Sequence, residues 1–197
     1  MFYPLSSNSW GMEEAEVFKR ILENGRFTMG KSVEEFEIAF AQKFEVPYSI
    51  MVSSGSMANL IGLAALFYKK ENPLQRGDEV IVPSISWATT YYPLQQYGLK
   101  LKFLDVELDT LNMDVSRLEE ALTSKTRIIV AVSVLGNPCA LEVIREFCDK
   151  HDLYLLEDNC ESMGARLNGK LCGTYGDLGT FSTFFSHPLI ILLQHRF

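Results

Sequence analysis

The sequence predicts an α/β fold: a doubly wound, mainly parallel sheet flanked by helices. Two observations carry this. Between Tyr48 and Asp158, strand-like apolar runs alternate with helical segments, as in chained strand–helix–strand units. The run Leu153-Tyr154-Leu155-Leu156 is continuously apolar and bounded by turn signals. Strands covered by helices on both faces read this way.

The elements follow in order. The first 45 residues predict an amphipathic helical segment. Ser9 is placed to cap a helix through Glu13–Phe18. Ser32 is placed to cap a second, with Glu35 completing a capping box. Asn24–Gly30 is the glycine-bounded loop between them. Pro47–Val52 reads as the first buried strand, and Ser53–Leu60 leads into an apolar helix ending near Tyr68-Lys69-Lys70. Gly77-Asp78 turns into the strand Glu79–Pro83, and a helix starts within Ser84–Thr90. Leu101–Asp105 is a strand, Val115–Leu122 a helix, Arg127–Val132 a strand and Ala140–His151 a helix. Asn168-Gly169-Lys170 reads as a hairpin turn, and an apolar strand-like run beginning at Thr180 leads to His187.

Composition bounds the function. A net charge of −7 without a Lys/Arg cluster argues against a nucleic-acid surface. No run is long enough to span a membrane, and no signal peptide is evident. Cys139, Cys148, Cys160 and Cys172 contain no C-x-x-C pair, so no metal site is expected, and a reduced, cytoplasmic thiol set is the simplest reading.

The chemistry centres on Leu153–Ala165, LYLLEDNCESMGA. Asp158 falls at the carboxyl end of a buried strand, where open α/β sheets bind ligands. A carboxylate buried there needs a cationic or hydrogen-bonding partner. A protonated pyridine nitrogen, as in pyridoxal phosphate (PLP), is one candidate. Capping of the next loop is the alternative. Ser53–Leu60 joins a strand to a helix through small hydroxyl residues and glycine, which suits an anion at the helix start or a plain capped helix. Trp87, just past a strand end, suits stacking on a flat ligand or a place in the core. His187 follows an apolar strand-like run, and a lone histidine in such a place is more often structural than catalytic.

Four segments, SSGSMANL, PSISWATT, LLEDNCESMGA and GTYGDLGTFSTFFSH, together resemble the DegT-type sugar aminotransferase family, from about Trp10 to His187. The resemblance implies the fold-type-I large domain of PLP enzymes, here residues 46–187. It makes Gly55, Ser56 and Met57 the phosphate cradle and Trp87 the ring that stacks on the cofactor. It also implies Asp158 as the partner of the pyridine nitrogen, Glu161 as a residue facing the cofactor where many members have Gln, and Ser182 as a phosphate contact.

Two departures matter. The family's aminotransferases carry a lysine five residues after the phosphate-binding serine, and this chain has His187 there. Imidazole has no primary amine to bond the cofactor covalently, but it moves protons near neutral pH. That substitution resembles the family's sugar 3-dehydratase branch. In that branch a 4-keto nucleotide-sugar condenses with pyridoxamine 5′-phosphate (PMP), the histidine takes a proton from the cofactor's methylene, and the 3-hydroxyl leaves. The resemblance also stops after His187, and residues 188–197 read as an aberrant apolar tail after a premature stop, with the C-terminal small domain missing.

The function expected is therefore dehydratase-type chemistry on a nucleotide-sugar substrate in surface-polysaccharide or deoxysugar synthesis, by a family whose full-length members form homodimers. A nucleotide-sugar aminotransferase and a non-catalytic remnant keeping only the cofactor pocket are the alternatives. The resembling fold inserts a later strand between the one near Tyr48 and the one near Thr180. Leu189–Leu193 is long enough to fill that gap, and the short connection allows only an antiparallel neighbour, so either a poorly packed substitute strand or a disordered apolar tail is expected, aggregation-prone in both cases.

Overall fold

The computed structural model of the chain describes residues 11–183 and, as backbone, 190–194. His187 lies outside the described residues, as does Ser9. The amino-terminal segment forms α1 (Met12–Asn24) and α2 (Lys31–Phe44). Both helices start one or more residues away from the expected serine caps. Gly11 precedes α1, and its N–H donates to the Glu14 carboxylate at 2.7 Å. Gly30 precedes α2, which places Ser32 inside the first turn rather than at its cap. The capping-box pattern thus misplaced the start by two residues.

The chain then builds β1 (Tyr48–Ile50), α3 (Gly55–Phe67), β2 (Glu79–Pro83), α4 (Ala88–Gln96), β3 (Lys100–Leu104) and β4 (Thr126–Val132). The segment expected as one helix after β3 is a 3-10 turn, Val115–Arg117, running into the short α5 (Leu118–Ala121). Next come α6 (Leu141–His151), β5 (Tyr154–Asp158), a small hairpin of β6 (Arg166–Leu167) and β7 (Lys170–Leu171), β8 (Leu178–Ser182) and β9 (Ile190–Gln194). The hairpin turns on Asn168 and Gly169, both at positive φ (50° and 84°), the geometry of a type I′ turn.

Seven strands form one sheet in the order β1-β9-β8-β5-β4-β2-β3. All pairs from β8 to β3 are parallel. β9 lies between β1 and β8 and runs antiparallel to both, the neighbour and direction expected of the apolar tail.

Residue parity on the strands sorts the core into two layers. Ile81, Ile129 and Leu155 pack with Leu141 and Ile144 of α6. Val80, Val82, Ile128, Val130 and Leu156 pack on the other face with Leu63 and Leu66 of α3 and Leu94 of α4. The expected α/β sandwich follows, because each strand offers apolar side chains to both faces. A third cluster joins α2 to β8: Phe40 and Phe44 meet the fully buried Phe181 edge-on, with ring centroids 5.5 and 4.9 Å away. β1 departs from expectation. Only Ser49 of its three residues is buried, while Tyr48 and Ile50 are 67% and 41% exposed. Among the described residues it is the sheet's terminal strand, paired on one edge by β9.

Candidate active site

Glu157 and Asp158 are adjacent in β5, and the pleat sends them to opposite faces. Asp158 shares the parity of Tyr154 and Leu156, so it faces α3 and α4. There its Oδ2 accepts Asn59 Nδ2 of α3 at 2.9 Å and Thr90 Oγ1 of α4 at 2.8 Å. Its Oδ1 accepts the Cys160 N–H at 3.2 Å. The carboxylate is 4% exposed, and Asn59 and Thr90 are buried with it. Asn59 reaches β8 as well, where its Oδ1 accepts Thr180 Oγ1 at 2.7 Å. One carboxylate at the carboxyl end of β5 therefore ties α3, α4 and β8 together.

The start of α3 meets this point. Ser54 caps the helix, its Oγ accepting the Met57 N–H at 3.1 Å. The capped-helix reading of this segment therefore holds, and it leaves room for an anion. Among the described residues, the Gly55 and Ser56 N–H groups of the first turn meet no acceptor, as is normal at a helix start. Gly55 is there because nothing larger fits. A Cβ on it would lie 2.8 Å from Cys160 Sγ and 2.9 Å from Ser182 Cβ. Gly55, Cys160 and Ser182 thus crowd together beside Asp158, at the carboxyl ends of β5 and β8. Ser56 is exposed and Met57 half-buried. Burial drives the Cys160 thiol pKa far up, and nearby Asp158 adds to the shift, so the thiol stays protonated.

Trp87 is the residue before α4, and its carbonyl accepts the Thr90 N–H at 2.9 Å. It stands one turn from the threonine that holds Asp158, on the same side of the sheet. It is 71% exposed, so the core reading of this residue is excluded. Glu161 follows the Asp158 loop, and its Oε2 accepts the Leu135 N–H at 2.9 Å. That bond holds the turn after β4, where Leu135 has a positive φ of 52°. The structure thus brings Gly55, Ser182 and Asp158 to one end of the sheet, with Ser56, Met57, Trp87 and Glu161 on the elements bordering it.

Sequence reasoning assigned no role to Asn59, Thr90, Thr180 or Glu157. Asn59 carried a signal: it is an amide inside the apolar helix GSMANLIGLAALF, and a buried amide needs partners. Glu157 is fully buried on the far face. Its carboxylate accepts the N–H groups of Gly173, Tyr175 and Gly176, each at 2.6 Å, and so folds the turn into β8. Burial nevertheless pushes its carboxyl up to about 7, with the three donors opposing the shift.

The family model for the DegT/DnrJ/EryC1/StrS aminotransferases matches residues 8–191. GDP-4-keto-6-deoxy-D-mannose 3-dehydratase of Yersinia pseudotuberculosis is 54% identical over 187 residues, covering 95% of this chain and 48% of that protein. GDP-perosamine synthase of Vibrio cholerae is 35% identical over 155 residues, 79% of this chain and 41% of that protein. Among solved structures, the E. coli GDP-4-keto-6-deoxy-D-mannose-3-dehydratase with bound hydrated PLP superposes with a TM-score of 0.94 at 47% identity. The match covers 98% of this chain and 51% of that one. The chain spans about half the length of the curated relatives it matches. By its motifs, its sheet and these matches, the chain belongs to the DegT/DnrJ/EryC1/StrS aminotransferase family.

Proposed function

We propose that the chain forms the cofactor-holding part of a PLP/PMP-dependent enzyme. The reaction is removal of the 3-hydroxyl from a 4-keto nucleotide-sugar, and a GDP-linked 4-keto-6-deoxy sugar is the substrate favoured by the 54% identical relative. The observation that carries the reading is the joint placement of an anion acceptor and a buried anion. The open N–H groups of the α3 start suit a phosphate, and Asp158 suits a ring cation. PMP, when bound, supplies the amine that meets the keto group and the electron sink that allows the C–O bond to break.

The chain's own residues divide the work. Gly55, Ser56 and Met57, with Ser182, hold the phosphate, and the exposed Trp87 offers a face to the ring. Asp158 keeps the ring nitrogen protonated. Glu161, at the position that would face the cofactor, holds the turn after β4 through the Leu135 N–H. His187 moves the proton, and because imidazole forms no stable covalent bond with the aldehyde, dehydration is favoured over transamination.

Residues 46–187 are the cofactor-binding domain in this reading, and residues 1–45 its helical lead-in. The enzyme works as a homodimer in surface-polysaccharide or deoxysugar synthesis. The four free thiols, three of them buried, suit a reducing cytoplasm. No helix among the described residues is long and apolar enough to cross a membrane.

The test is a titration of the chain with PMP, followed by absorbance, and treatment with PLP and borohydride. PMP binding is expected, with no borohydride-fixed adduct at position 187 until His187→Lys supplies a primary amine there. A fixed adduct on a single wild-type lysine, mapped by mass spectrometry, overturns the dehydratase assignment.

A further inference from the structure

We infer that Asn59 and Thr90 are positioning residues: they occupy Oδ2 of Asp158 so that Oδ1 is the oxygen presented to the ring cation. This rests on the cofactor reading above.

Each hydrogen in the cluster has one assignable direction. An ionised carboxylate only accepts, so Asn59 must turn its Nδ2 toward Asp158. Thr180 then donates to the Asn59 Oδ1 and locks that amide orientation. Thr90 has a single hydroxyl hydrogen, and the 2.8 Å contact with Asp158 takes it. The 2.8 Å contact between Ser86 and Thr90 is therefore donated by Ser86. Two converging lines of donors, Ser86 to Thr90 and Thr180 to Asn59, thus end on Oδ2. Both of its lone-pair directions are used, so the ring cation would meet Oδ1, which among the described residues accepts the Cys160 N–H at 3.2 Å, with the Cys160 thiol beside the same carboxylate.

Pro93 contributes to the same arrangement. It lies inside α4 and has no N–H for the carbonyl four residues back, that of Thr89. That carbonyl accepts Asn59 Nδ2 at 3.4 Å, a second anchor for the amide that holds Asp158. A helix-interior proline is costly, and here the acceptor it releases is used by the site.

The experiment is performed on the 197-residue chain with two probes, PMP and inorganic phosphate. The variants are Thr90→Val, which keeps the shape and removes the donor, Thr90→Ser, which keeps the donor, and Ser86→Ala, one link further out. The absorbance of bound PMP is also followed against pH, because the ring nitrogen's protonation reports on Asp158. Thr90→Val should weaken PMP about 3- to 10-fold, the range of one hydrogen bond, and leave phosphate affinity unchanged. It should also shift the pH at which the bound spectrum changes. Thr90→Ser should restore both readouts to within about 2-fold. Ser86→Ala should weaken PMP by about 2-fold, which keeps the test open if Thr90→Val does not fold.

Wild-type PMP affinity and an unmoved spectrum in both Thr90→Val and Ser86→Ala overturn the positioning role and leave the cofactor reading standing. Equal losses for PMP and phosphate, unrescued by serine, show general disruption and also overturn it. A wild-type chain that binds PMP no better than phosphate removes the cofactor reading, and this inference falls with it.

Discussion

Asn59→Ala should cost far more stability than a single amide usually does. The substitution removes the 2.9 Å charge-assisted bond to Asp158, of the order of 1.5–3 kcal/mol. It also removes the acceptor of Thr180, about 1 kcal/mol, part of which returns through the 3.3 Å contact of Thr180 with the Glu157 carbonyl. A small cavity adds a further ~1 kcal/mol, since the site is held by three elements and cannot collapse freely. The sum is about 3–4 kcal/mol. With a urea m-value of about 2 kcal/mol/M, the midpoint should fall by about 1.5–2 M. Ser56→Ala, at an exposed position of the same helix turn, should stay within about 0.5 kcal/mol of wild type and serves as the control. Asn59→Asp adds a sign test. It sets two carboxylates face to face, so its deficit should be largest at neutral pH and shrink in acid, where one of them protonates and donates to the other. An Asn59→Ala deficit below about 1 kcal/mol would refute the reasoning, as would an Asn59→Asp deficit that grows on acidification.

Three further outcomes are expected. Glu157 has its carboxyl raised to about 7 from an ordinary 4.5, so its contribution to stability is fully present below about pH 4.5 and is lost as pH rises toward 7. The amount is of the order of 3 kcal/mol, and stability–pH curves of wild type and Glu157→Gln that run parallel over that window would exclude it. Gly55→Ala should lower the thermal midpoint by about 3–8 °C, because its Cβ would press on Cys160 Sγ at 2.8 Å and Ser182 Cβ at 2.9 Å; an unchanged melting curve counts against that packing. Deleting residues 188–197 removes β9, the strand joining β1 to β8, and opens two sheet edges. Sedimentation should then show more association and denaturation an earlier midpoint, whereas an equally soluble, equally cooperative shortened chain would show that β9 contributes nothing to the sheet.

The strands were legible because burial on both faces leaves a local mark. β2 matches its expected bounds, and β4 and β5 lie within a residue or two of theirs. β1 failed for the complementary reason: an apolar composition does not reveal that a strand ends the sheet with Tyr48 and Ile50 exposed. The helix starts failed because glycines took the cap positions that serines were expected to fill. In the site, Asp158 was legible from its place after an apolar run. Its partners were not, since Asn59 lies 99 positions away and Thr180 is a further 22 beyond Asp158. Local sequence shows that Asn59 must have a partner, and only the fold supplies it.

Asp158 is bound into the fold as tightly as it is offered to a ligand, and this decides how its role can be isolated. Replacing it with alanine would leave the Asn59 amide and the Thr90 hydroxyl buried without their acceptor, at a cost of about 1–3 kcal/mol each before any ligand is added. A loss of cofactor affinity in Asp158→Ala would therefore mix a missing anion with a loosened junction of α3, α4 and β8. Glu157 shows that adjacency in sequence does not imply a shared task. One residue away, on the other face, it accepts three backbone N–H groups of residues 173–176, two on Oε1 and one on Oε2, and so serves the turn into β8. Asp158 differs in its place: it faces the start of α3 and α4 rather than the inside of that turn. The donors around Oδ2 are thus the better place to intervene. A valine at position 90 alters the carboxylate's hold while keeping its charge, so orientation is tested apart from the presence of the anion.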